Sequence, residues 1–82
     1  MAQSKEEVFN QIADIIADRF QVDRETITLQ LNFKTDLDAD SIDFVEFILE
    51  LEDTFGAEIS DEAAENLNTV GEAVDYIVAH NN

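Results

Sequence analysis

Residues 40–56 read DSIDFVEFILELEDTFG. Asp40 is a strong N-cap residue and Gly56 a strong stop, with no Gly or Pro between them, so a helix is predicted from Asp40 or Ser41 to about Phe55. Asp43, at the third position, adds negative charge to the positive helix end. Placed on a wheel at about 100° per residue, the apolar side chains of this helix divide into two groups. Phe44, Phe47, Ile48, Leu51 and Phe55 share one broad face, an ordinary core face. Ile42, Val45 and Leu49 form a separate line, flanked by Asp43, Glu46, Glu50 and Asp53 on one side and Glu52 on the other. One reading makes that line the ragged edge of the core, since scattered surface hydrophobics are common. The other makes it a docking ridge, on which apolar knobs give contact area and the acids, with Asp40, steer a basic partner into register.

Working outward, Val8, Phe9, Ile12, Ile15 and Ile16 recur at helical spacing, and a first helix is predicted from about Lys5 to Phe20. Ser4 and Glu7 form a capping-box pair at its start. Between the two helices, Ile27, Leu29, Leu31 and Phe33 alternate strictly, the pattern of a strand. No other segment alternates, and a lone strand would leave its amides unpaired. The segment is therefore expected to be a long connection whose apolar side chains lie across the helices. Beyond Gly56, a short helix is expected to follow Ser60, from Asp61 to about Asn66. A last helix is expected from Thr69 to Ala79, with Thr69 and Glu72 as a second capping box. The expected architecture is all-α, a four-helix bundle with three long helices, one short helix and a long first loop, forming one domain over residues 1–82.

Charge narrows the function. Twenty Asp and Glu oppose four Lys and Arg, for a formal net charge of -16. The four cations, Lys5, Arg19, Arg24 and Lys34, all precede residue 35, and 14 acids follow it. Such a field repels phosphate backbones and anionic membranes and attracts basic surfaces, which disfavours nucleic-acid binding. Without cysteine, neither disulfides nor thiolate metal sites can form. No apolar run is long enough to span a bilayer, and the N-terminal MAQSKEEVFNQ lacks a signal-peptide core, so a cytoplasmic location is expected.

Ser41 begins the apolar line. A serine at a helix start is usually a cap, but Asp40 can take that role and leave the Ser41 hydroxyl outward. No neighbouring group could activate it, and His80, the only histidine, sits at the far terminus, where it complements a helix C-terminal end. The chain has no catalytic constellation and is expected not to be an enzyme. Asp36, Asp38 and Asp40 have the spacing of calcium-loop positions one, three and five, but Ser41 stands where position six needs Gly and Phe47 where position twelve needs Glu. No metal site is assigned.

The run from Asp36 to Ile77, DLDADSIDFVEFILELEDTFGAEISDEAAENLNTVGEAVDYI, resembles bacterial type II acyl carrier proteins of fatty acid synthesis. That family shows DLGADSLD, then VEL and a hydrophobic stretch, then EEEFG, EIPDE and TVGDAV, in this order and spacing. The resemblance implies a 4′-phosphopantetheine arm on Ser41 that carries acyl groups as thioesters, so the thiol missing from the sequence arrives with the arm. It implies as partners a phosphopantetheinyl transferase and fatty acid synthesis enzymes with basic patches, meeting a monomer at the acidic second helix. Carriers of polyketide, peptide and D-alanyl transfer share the fold, and an acidic adaptor would share the composition. In such bundles the acyl chain folds back between helices; the lining expected here is Phe44, Phe47, Ile48, Leu51, Phe55, Ile59, Ala64, Leu67 and Val74. The sequence departs from the family pattern at Asp38 (Gly), Ile42 (Leu) and Ser60 (Pro), and Phe44 and Phe47 are bulkier than common choices.

Overall fold

The helix signals act where the sequence puts them. In the computed structural model, which describes residues 4–37 and 40–80, α1 spans Lys5–Phe20, α2 Ser41–Phe55, α3 Asp61–Glu65 and α4 Val70–His80. Ser4 Oγ accepts the Glu7 amide (3.2 Å), Asp40 accepts the Asp43 amide (2.9 Å) and Ser60 accepts the Ala63 amide (3.1 Å), each satisfying a first-turn donor. Before α4 the capping box is reciprocal: Thr69 Oγ1 accepts from the Glu72 amide, and the Glu72 carboxylate accepts from the Thr69 amide. Gly56 ends α2 at φ 64°, and Gln21 ends α1 in the same left-handed region at φ 54°.

α1 packs along α4 and more lightly against α2. Val8, Ile12, Ala13 and Ile16 of α1 are fully buried with Val70, Ala73, Val74 and Ile77 of α4, and Phe47 and Leu51 of α2 complete the centre. Phe47 meets Phe20 edge-on at 6.0 Å and Phe33 at 5.1 Å, so aromatic rings fill the space between α1, α2 and the first loop.

The first loop departs from expectation. Residues 24–26 form one turn of 3-10 helix, which the sequence pattern did not announce. The alternating segment after it is neither a strand nor an unpaired coil. Phe33 donates its amide to the Asn68 carbonyl (2.8 Å), while the carbonyls of Leu31 and Leu29 accept the amides of Val70 (3.0 Å) and Gly71 (2.9 Å). A single antiparallel bridge, Asn32 with Thr69, marks this pairing. The loop thus satisfies the first two amides of α4, the next falls to Thr69 Oγ1 and the fourth to the Thr69 carbonyl. Gly71 permits the approach, because a Cβ there would stand 3.1 Å from the Leu29 carbonyl oxygen. Ile27 and Phe33 lie in the core as expected, Leu31 is half-buried, and Leu29 is exposed, since its carbonyl rather than its side chain faces the bundle. Asn32 and Asp36 fold the end of the loop on itself: Asn32 Oδ1 accepts the amides of Lys34 and Thr35, and Asp36 Oδ2 accepts that of Asn32. Leu37 is buried, which aims the chain at the start of α2. Asp38, at the departure from DLGADSLD, lies outside the described residues.

Candidate functional site at the start of helix α2

Ser41 is the first residue of α2 and is exposed. Because Asp40 caps the helix, the Ser41 hydroxyl has no hydrogen-bond partner among the described residues. Two hollows adjoin it. One, of about 460 Å³, runs between α2 and α3 from Ser41 past Phe44, Val45, Ile48 and Leu49 to Ile59 and Ala64, with Glu52, Asp61 and Glu65 on its rim. The other, of about 240 Å³, lies between Ser41, Asp40 and Phe44 and the loop residues Phe33 and Lys34.

The lining expected for an acyl chain is split by the structure. Phe44, Ile48, Ile59 and Ala64 border the larger hollow. Phe47, Leu51, Phe55, Leu67 and Val74 do not; the first four are packed in the core, and Val74 borders a separate hollow beside α1 and Leu29. The reason is steric: Phe47 fills the bundle centre against Phe20 and Phe33, so the open space is a groove on the α2–α3 side rather than a channel through the middle. Val45 and Leu49, assigned to the ridge, also line that groove.

Ile42, Val45 and Leu49 are 69%, 55% and 58% exposed and, among the described residues, account for three of the four large exposed apolar side chains, Leu29 being the fourth. Their line therefore lies outside the core. The flanking acids are less uniform than a wheel implies. Asp40 is engaged as the cap, Asp43 is half-buried and Asp53 exposed. Glu46 and Glu50 are joined to Arg19 in the last turn of α1, at 3.1 Å and 2.6 Å. The guanidinium also gives its Nε–H to Glu50 (3.1 Å), a forked arrangement suited to Arg. Its pKa is raised, first by the hydrogen bond to Glu50 and then by the charges of Glu50, Glu46 and Asp43, with desolvation opposing. Glu52 is turned to structure: its carboxylate accepts the Ile59 amide (3.2 Å) and holds the connection to α3.

Sequence reasoning missed the positions of Arg19 and Lys34. Each lies about 30 residues from what it touches, and the only signal was their rarity in so acidic a chain. His80 donates from Nδ1 to the Tyr76 carbonyl (2.9 Å) and stacks on the Tyr76 ring, remote from Ser41 in sequence and on another helix.

An exposed hydroxyl at a helix start, with no hydrogen-bond partner among the described residues and beside an apolar groove, suits a tethered group. Residues 10–77 match the family model described as phosphopantetheine attachment site. The chain is 65% identical to the acyl carrier protein of Lactobacillus johnsonii over 79 residues, covering 96% of this chain and 99% of that relative. It is 64% identical to that of Lactobacillus acidophilus over 77 residues, covering 94% and 96%. Its fold matches the solved acyl carrier protein from Enterococcus faecalis, a protein of high thermal stability, with a TM-score of 0.83 at 55% identity over 95% of this chain and 99% of that one. The chain belongs to the acyl carrier proteins. It is a carrier of acyl chains on 4′-phosphopantetheine and not an enzyme, and fatty acid synthesis is the standard setting of that role. Family membership brings interaction with a phosphopantetheinyl transferase and with fatty acid synthesis enzymes. Among the described residues no helix is long and apolar enough to cross a membrane.

Proposed function

We propose that the arm is attached to Ser41, that its cargo lies in the groove between α2 and α3, and that partners dock on the line of Ile42, Val45 and Leu49. The observation that carries this reading is the position of one hydroxyl, exposed and unengaged because Asp40 does the capping, at the mouth of an apolar groove. When bound, the arm supplies the thiol on which acyl groups ride as thioesters. The chain's own residues do the rest. Phe44, Ile48, Ile59 and Ala64 offer an apolar surface that shelters a short chain from water, and the rim carboxylates leave the groove open to solvent.

The same first turn presents Ile42 and Val45 next to the modified residue, so a partner seated on them holds the arm at its own active site. Asp43, Glu46, Glu50 and Asp53, with Asp40, give the approach its sign and attract basic surfaces. The carrier works as a cytoplasmic monomer of one domain in this reading; the apolar line exposed among the described residues is narrow and bracketed by like charges that disfavour self-association.

The test is intact mass after incubation with coenzyme A and a phosphopantetheinyl transferase. The chain should gain one arm and Ser41→Ala should gain none while melting at nearly the same temperature. Modification of the Ala variant would move the attachment elsewhere.

A further inference from the structure

The four cations of this chain are not placed alike. Lys5 pairs with Asp75 (2.9 Å), Arg24 with Asp14 (3.2 Å), and Arg19 with Glu46 and Glu50. Lys34 differs. Its Nζ donates to the Glu65 carbonyl at the end of α3 (2.9 Å), and among the described residues no carboxylate lies within ion-pair distance of it. An ammonium has three donors, so two remain after that bond. In a chain of net charge -16, a cation with no carboxylate partner among the described residues calls for an explanation. Lys34 borders the smaller hollow together with Asp40 and Ser41.

We propose that Lys34 is a binding residue for the phosphodiester that joins the arm to Ser41. The inference rests on the reading of Ser41 as the attachment point and adds the group that neutralises what is attached. A phosphodiester on Ser41 places one more negative charge beside Asp40 and Asp43, where repulsion opposes it. Two features offset that repulsion. The amino-terminal end of the 15-residue α2 favours an anion, and Lys34, which lines the same hollow as Ser41, supplies a full positive charge. Anchoring α3 alone would need only a neutral donor at the Glu65 carbonyl. The charge is the surplus that the phosphodiester uses. The modified serine then couples three pieces of the fold, the first loop through Lys34, the start of α2, and the end of α3 through Glu65.

The experiment compares unmodified and fully modified forms of the whole chain, labelled for NMR, with the arm located by peptide mapping. The Lys34 ε-CH2 resonances should shift on modification, while those of Lys5 stay unchanged. In a parallel series, modification should favour the melting temperature less in Lys34→Met than in the parent chain. Lys34→Arg should restore the parent's response, and the gap should close as NaCl approaches about 0.5 M. An arm on Ser41 with unmoved Lys34 resonances, or with the same melting response in Lys34→Met, overturns this inference alone. An arm mapped to another residue overturns both this inference and the attachment at Ser41.

Discussion

Helices α1 and α2 have 16 and 15 residues, begin on capped turns and end on left-handed residues, yet only one of them shows apolar side chains to solvent. Every large hydrophobic residue of α1 is buried or half-buried, whereas α2 buries Phe47, Ile48, Leu51 and Phe55 and exposes Ile42, Val45 and Leu49. Folding explains α1 completely. It does not explain α2, because exposed Ile, Val and Leu gain little from burial and gain less beside anions. The surplus on α2 belongs to something outside the chain, and two hollows and an unengaged serine lie at the same end.

The sharpest way to break this contrast is to delete side chains from both helices. Ile12→Ala in α1 and Leu51→Ala in α2 should each cost about 2–5 kcal/mol, read from denaturant or thermal unfolding, because both sites are fully buried. Leu49→Ala, two residues from Leu51, should cost less than about 1 kcal/mol and still slow modification by the transferase several-fold. Were Leu49→Ala to unfold the protein as readily as Leu51→Ala, the exposed line would be part of the core after all.

The two helix ends sharpen the comparison at a smaller scale. A Cβ at Gly56 would meet nothing within 4 Å, so Gly56→Ala isolates the cost of a left-handed backbone, about 1 kcal/mol. Gln21 already bears that strain, and Gln21→Gly should raise stability by about 0.5 kcal/mol. Equal melting temperatures for all three proteins would mean that neither end is strained.

Least visible in stability is the contact between the two helices made by Arg19. Its pairs with Glu46 and Glu50 are exposed, and Arg19→Met should barely move the melting temperature. The effect should appear in association instead. Freed of Arg19, the two carboxylates should speed encounter with a basic transferase about twofold at low salt, and the difference should vanish at high salt. Equal rates at both salt concentrations would show that Arg19 does not compete with partners for this pair of acids.

Local sequence determined the helices and the position of the serine. Capping residues, helical periodicity and Gly56 act within one or two turns, where three or four residues settle the energetics, and so the bounds of α1 and α2 and the separation of the exposed line from the core face were legible. The DSID segment with its flanking blocks made the carrier family legible too. Tertiary structure alone decided what depends on meetings between distant residues. The alternation of Ile27, Leu29, Leu31 and Phe33 has the period of a strand, but its carbonyls are used by the free amides of α4, some 40 residues away. Phe47 fills the bundle centre only because Phe20 and Phe33 converge on it, and that packing shifts the open space to a groove beside α3. Whether Glu46 and Glu50 stand free or paired, and whether Lys34 lies near Ser41, follow from how α1 and the first loop pack against α2. A residue's neighbours along the chain carry no record of such contacts, because hydrogen bonding and charge act through space at a few ångströms whatever the separation in sequence.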